Sequence, residues 1–250
     1  MGDDDSLFDR ARRAVVGPTP AERAATLDDR ALDDPSALTD DDVAELIELL
    51  DADDPAVVTD ALSALTSLAD SRPRVVDVAV PAVFDGLSTR PASEWTGTTY
   101  GEASPSFTND LLRGSILLSV AKARPGALEP VLDDLAARYA ENTLEPGSTF
   151  AFGYAVAAAP DRTDVDPASV VAVVADALRG AVEPNPDDDG WGLGLQPMST
   201  VGYVDLLDSF APAALDADAI ADRRDAIQTA REHGDAEVAA AAAAALSDGG

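Results

Sequence analysis

The stretch that most constrains the fold runs from Asp54 to Leu87, because it holds one complete helix, a tight turn and the start of the next helix. Asp54 is placed to cap the first helix, and Pro55 follows at the first helical position, where a missing N–H costs nothing. Val57, Val58, Ala61, Leu62, Ala64, Leu65, Leu68 and Ala69 then recur at helical spacing. The helix is expected to stop near Arg72-Pro73. A second apolar-periodic segment carries Val75, Val76, Val80, Val83, Phe84 and Leu87, in which Pro81 either kinks the helix or marks where its regular part begins. Two helices joined by a short turn cannot bury both apolar faces alone, so further copies must stack on them.

The same start signals recur upstream. Thr19-Pro20-Ala21-Glu22 has the form of a capping box with proline at the first helical position, which predicts a helix to about Leu32, ended by Asp33-Asp34-Pro35. Thr39 caps the next helix, Asp40 to Asp42 fill the turn where the helix dipole favours anions, and Val43, Leu46, Ile47, Leu49 and Leu50 form its buried face. Before both, Leu7, Phe8, Ala11 and Val15 mark a short amphipathic helix over Asp5 to Val16. The expected organisation is therefore N-terminal capping helices over 1–38 and a helical repeat domain over 39–250, interrupted by long loops at 90–105 and 184–198.

The words LLDADDPAVVTDALSAL, Leu49 to Leu65, resemble the HEAT-repeat family, in which a Leu-Leu helix end, an Asp-rich turn and a Val…Ala…Ala-Leu second helix recur. The C-terminus repeats the second part: with Val57 set on Val238, Ala61 falls on Ala242, Ala64 on Ala245 and Leu65 on Leu246. Intermediate copies align Ala69 with Ala121, Ala158 and Ala211, with Leu65, Leu117, Tyr154 and Leu207 one turn earlier. Long and short repeats alternate. The arginine that commonly follows the family's valine is Val58 in one copy and Ala239 in another, so the usual buried Arg–Asp ladder is not carried over. The resemblance implies an all-α fold, a solenoid of about four to five HEAT-like hairpins, with second helices near 55–70, 107–123, 148–159, 200–211 and 235–247.

Charge adds a second constraint. Against 47 Asp and Glu stand 17 Lys and Arg, with Lys122 the single lysine, for a formal charge of −30. This skew resembles proteins of extremely halophilic archaea: at about 1 M salt the Debye length falls to about 3 Å, so self-repulsion across such a surface is screened. The carboxylates then read as a solvated surface. Nucleic acid is disfavoured as a partner, because counterion release needs a cationic face and the arginines are scattered among Asp. No cysteine is present, so disulfides and thiolate chemistry are excluded. The N-terminus lacks an apolar core of signal-peptide length and no stretch approaches the about 20 apolar residues of a membrane span, so the expected location is the cytoplasm, away from membranes.

The two tryptophans sit in matching long loops, Trp95 in 90–105 and Trp191 in 184–198. Insertions at the same point of alternate repeats leave a solenoid from one edge, and loops on a rigid frame are where binding residues concentrate. Trp95, Tyr100, Trp191 and Leu193 are therefore the candidate partner-binding residues. The other reading is that each indole folds back over the ends of its own helices. Asn185, Asp187, Asp189 and Gly190 match the start of a calcium loop, but Gln196 stands where its bidentate Glu belongs, so no metal is expected. His233, the only histidine, reads as a helix-ending residue, and with no second histidine and no cysteine a His-rich or thiolate metal site lacks its parts, while a Ser/His/Asp triad has only that one residue for its base. No catalytic residue and no cofactor are expected.

These readings converge on a non-catalytic, HEAT-type protein-interaction scaffold or adaptor in a halophile's cytoplasm. Two alternatives differ in class: a solenoid with a small-molecule or catalytic pocket built from Trp, Tyr and carboxylates, and a structural subunit of a larger assembly.

Overall fold

The computed structural model describes residues 17–91, 94, 95, 104–182 and 198–248. The amphipathic segment expected over Asp5 to Val16, the calcium-like loop, Tyr100, Trp191 and Leu193 lie outside them. The described residues are all-helical, with no strand among them. In chain order the helices are α1 (Pro20–Asp33), α2 (Asp40–Leu49), α3 (Pro55–Ser71), α4 (Pro73–Val76), α5 (Val80–Asp85) and α6 (Pro105–Ala123). These are followed by α7 (Leu132–Ala140), α8 (Pro146–Ala158), α9 (Pro167–Val182), α10 (Thr200–Ser209), α11 (Ala217–Arg231) and α12 (Ala236–Asp248). Among the described residues no helix is long and apolar enough to cross a membrane.

Local chemistry accounts for the helix starts. Both Thr19 and Thr39 form complete capping boxes, with Glu22 and Asp42 reaching back to the cap N–H at 2.9 and 2.7 Å. Arg30 of α1 pairs with Asp42 at 2.9 Å; that hydrogen bond holds the Asp42 carboxyl at about 2 and ties the first two helices.

Four helix ends follow one rule. Asp34, Arg72, Arg124 and Ala159 each precede a proline, whose ring excludes the α conformation from the residue before it. All four adopt φ between −152 and −139 with ψ between 57 and 94, and each donates its N–H to the carbonyl four residues back. The chain thus leaves α1, α3, α6 and α8 through the same turn. Pro212 acts similarly on Ala211 (φ −64, ψ 130), and α10 ends at Ser209, short of the expected 211. Pro81 does not kink a long helix: it sits in the first turn of α5, after a short 3₁₀ segment at Asp77–Ala79.

The helices pack mainly on near neighbours. α1 and α2 lie on α3, α3 on α6, α6 on α8, α8 on α10 and α10 on α12, while α9 lies on α11 and α11 on α12. Buried apolar side chains form one continuous cluster from Ala24 to Ala245. Fully burying a Leu or Val contributes about 1.5–3 kcal/mol, so this cluster is the main source of stability.

Candidate functional site

Within that apolar core, the first half of α6 is polar. Phe107, Asp110, Arg113 and Gly114 recur at three- and four-residue intervals, which places them on one helix face. Asp110 is 1% exposed and Arg113 5%. Each has a task on the segment that leaves α5. Arg113 Nη1 donates to the carbonyls of Ala82 and Val83, both at 3.0 Å, at the helix end where carbonyls lack partners and a cation is favoured. A Cβ on Gly86 would sit 2.1 Å from Arg113 Cζ, so a side chain there would displace the guanidinium. Burial pushes the Arg113 guanidinium down, opposed by the charges of Asp110 and Asp51.

Asp110 then takes the next residues. Its Oδ1 accepts the Ser88 N–H at 2.9 Å and its Oδ2 accepts Arg90 Nε at 3.3 Å. From α7, Arg138 Nη1 donates to Leu87 O at 3.1 Å while its guanidinium lies 4.6 Å above the Phe84 ring. The segment from 82 to 90 is therefore held by backbone contacts to three helix-borne side chains. Its continuation brings Trp95 under Arg90, 5.7 Å from ring to guanidinium, and against Phe107 at 5.1 Å.

At Gly114, on the same side of α6, the helix meets α8 at close range. A Cβ on Gly147 would lie 2.8 Å from the backbone carbon of Gly114, so the two helices cross where neither has a side chain. Glu145 caps α8, accepting Ser148 N–H at 2.8 Å and Ser148 Oγ–H at 3.1 Å, and fills the space left by Gly114. It is 3% exposed. Burial raises its carboxyl to about 7, with the nearby Asp110 charge adding to the rise and the bonds from Gly147 and Ser148 opposing it.

Beside this cluster is a cavity of about 250 Å³. Its described lining is Trp95, Tyr139, Phe150, Leu144 and Val173, with Asn142 and Thr149 as polar members. Asn142 adopts φ 55, a left-handed conformation that Asn tolerates, and closes α7 by donating its N–H to Tyr139 O while Thr143 donates to Arg138 O. The rings are fixed from behind: Tyr139 lies against Phe152 and Phe150 against Tyr203, each at 5.1 Å. Burial raises the Tyr139 hydroxyl, so it is neutral and a donor at pH 7. Trp95 Nε1 is buried and has no hydrogen-bond partner among the described residues. An unpaired buried donor costs about 1–3 kcal/mol.

The four expected contact residues fare differently. Trp95 is 2% exposed and turned into the fold, so its ring is part of an interior wall and not a protruding contact; the physical cause is the anchoring of residues 82–90 by α6 and α7, which draws the following turn inward. Tyr100, Trp191 and Leu193 lie outside the described residues. His233 sits in the turn before α12, where its Nδ1 accepts the Asp235 N–H at 3.3 Å. Sequence reasoning passed over Asp110, Arg113 and Glu145. The available signal was the interruption of an apolar face: Asp110, Arg113 and Gly114 stand in line with the buried Leu117 and Ala121.

No charged side chain is among the described residues lining the cavity, so the arrangement can bind but offers no acid–base pair. Among the described residues no group of three His, Cys, Asp or Glu could hold a metal ion. No family model, no curated protein and no solved structure matches the chain.

Proposed function

We propose that this chain is a non-catalytic helical-repeat scaffold of HEAT type that binds a protein partner in a high-salt cytoplasm. The observation that carries the reading is the turn shared by Asp34, Arg72, Arg124 and Ala159. One helix-ending device used four times, each time between a helix and a 3₁₀ or short helical segment, is what a stack of related hairpins requires. Neighbour-on-neighbour packing from α3 through α12 supports the same reading, because each unit of a stack buries its apolar face on the next. On this reading the partner meets the edge from which the loops at 90–105 and 184–198 depart. Tyr100, Trp191 and Leu193 make the contact, and Trp95 is the buried post that anchors the first loop.

The test is binding of a partner captured and purified at molar KCl, titrated against the wild-type chain and a Tyr100→Ala/Trp191→Ala double variant. Truncating an aromatic hot spot costs about 2 kcal/mol or more, so affinity is expected to fall at least about 30-fold with the melting temperature unchanged. Full retention of the partner by a folded double variant would overturn the site assignment. The high-salt component is tested apart: the melting temperature should rise between about 0.1 M KCl, where the Debye length is near 10 Å, and molar KCl, and a flat response would remove it.

A further inference from the structure

We infer that the α6–α8 crossing is a proton-operated latch: the buried Glu145 carboxyl, wedged against Gly114 one helical turn along α6 from Asp110, sets by its charge whether Asp110 keeps its hold on residues 88–90. The device is independent of the partner reading above.

The closed form leaves the carboxyl no room and no counter-charge. A Cβ on Gly114 would lie 1.6 Å from Glu145 Oε2, so the side chain fills the place a larger residue would take. Its bonds come from neutral donors, the Gly147 and Ser148 N–H groups and the Ser148 hydroxyl. Among the described residues no ion pair reaches it.

The charged and titratable groups on the packed elements are committed elsewhere. On α6, Asp110 is bonded to Ser88 and Arg90, and Arg113 is turned to the Ala82 and Val83 carbonyls. On α7, Arg138 is taken by Leu87 O and the Phe84 ring, and on α9 Arg179 pairs with Asp222 and Asp225 of α11. On α10, Tyr203 lies against Phe150 and Asp205 pairs with Lys122. A charge on Glu145 therefore meets no free cation among the described residues, and the Asp110 charge opposes it.

The direction of the switch follows. Burial and Asp110 hold the Glu145 carboxyl at about 7, so below that pH it is a neutral acid and the crossing closes. Above it, two buried carboxylates stand one turn apart with Arg90 as the cation on Asp110 alone. Asn142 and Thr149, on either side of Glu145 in the chain, line the cavity of about 250 Å³, so the first turn of α8 has space to move into. That movement loosens Asp110, whose bonds to Ser88 and Arg90 keep Trp95 against Phe107. An opened carboxyl returns to its ordinary 4.5, so raising the pH from 4.5 through 7 favours the open form by up to about 300-fold.

The test follows Trp95 fluorescence in a Trp191→Phe background at molar KCl. As pH rises from about 6 to about 8.5 the emission should move reversibly to the red, with a midpoint near 7 and helix content by circular dichroism unchanged. Glu145→Gln in the same background should keep the low-pH spectrum throughout. Asp110→Asn, which retains an acceptor for Ser88 and removes the neighbouring charge, should lower the midpoint. The wild-type chain supplies a check that needs no variant to fold: one Glu side-chain carboxyl carbon should titrate near pH 7 in step with one indole N–H resonance. The inference is overturned by a Trp95 spectrum flat across this range, by a transition that survives in folded Glu145→Gln, or by an unchanged midpoint in folded Asp110→Asn. A red shift accompanied by loss of helix would be unfolding and would overturn it too, as would wild-type carboxyl and indole signals that titrate apart.

Discussion

Two consecutive long helices, α3 and α6, begin alike and end alike, yet their buried faces differ. Both carry proline at the first turn and both leave through the same pre-proline conformation. In α3 every buried residue, from Val57 to Ala69, is apolar. In α6 the buried face opens with Phe107, Asn109, Asp110, Arg113 and Gly114 and becomes apolar only from Ile116. The difference separates two tasks. α3 is a wall, whose role is to bury area against α1, α2 and α6, while the first half of α6 is a clamp whose polar groups take backbone atoms of the incoming chain. Asn109 joins the two, accepting Thr59 Oγ–H at 2.7 Å and donating to Pro55 O at 3.4 Å.

Substitutions can break this contrast. The largest effects are expected where atoms are lost from the wall or added to the crossing. Leu65→Ala should cost about 3 kcal/mol by opening a cavity in α3. Gly147→Ala should cost a similar amount for the opposite reason, since its methyl meets the Gly114 backbone at 2.8 Å. Urea unfolding at molar KCl measures both, and a neutral Gly147→Ala would mean that the helices do not cross this closely.

Next comes pH. The Glu145 carboxyl is raised from 4.5 to about 7 in the fold, so the folded state binds the proton more tightly. Its stability contribution is full below about 4.5, declines as pH rises through about 7, and is absent above, a span on the order of 3 kcal/mol. Glu145→Gln removes that dependence. The variant should therefore gain on the wild type as pH climbs from 4.5 to 7 and be the more stable protein at pH 8; parallel pH profiles would contradict the buried placement of Glu145.

Smaller still is the clamp itself. Asp110→Ala leaves the Ser88 N–H and Arg90 without their acceptor and should cost about 2 kcal/mol. In a Trp191→Phe background, where Trp95 is the only tryptophan, its fluorescence should shift to the red as the indole is released. Thr39→Ala marks the low end, at about 1 kcal/mol for a lost cap on the wall side, and a larger loss there than at Asp110 would invert the comparison.

The wall was legible in the sequence and the clamp was not. The capping box at Thr19, the cap at Thr39 and the apolar period of α3 were readable, and the helices expected near 107–123, 148–159 and 235–247 match α6, α8 and α12 to within a few residues, because caps, prolines and apolar spacing act locally. Asp110 and Glu145 were lost among 47 acidic residues, where treating acids as solvated surface is sound for nearly all of them. Nothing local distinguishes the two that are buried among the described residues. What buries Glu145 is Gly114, and what buries Asp110 is the return of Ser88 and Arg90, both set by long-range packing. The inward turn of Trp95 has the same origin.

Hydrogen exchange at two amides tests the distinction between wall and clamp most directly. The Ser88 N–H, held by Asp110, should exchange at least about 100-fold more slowly than in an open chain, and Asp110→Ala should abolish that protection while the Leu65 amide in α3 keeps its own. A Ser88 amide that exchanges freely in the wild type, or Leu65 and Ser88 losing protection together in Asp110→Ala, would contradict the account.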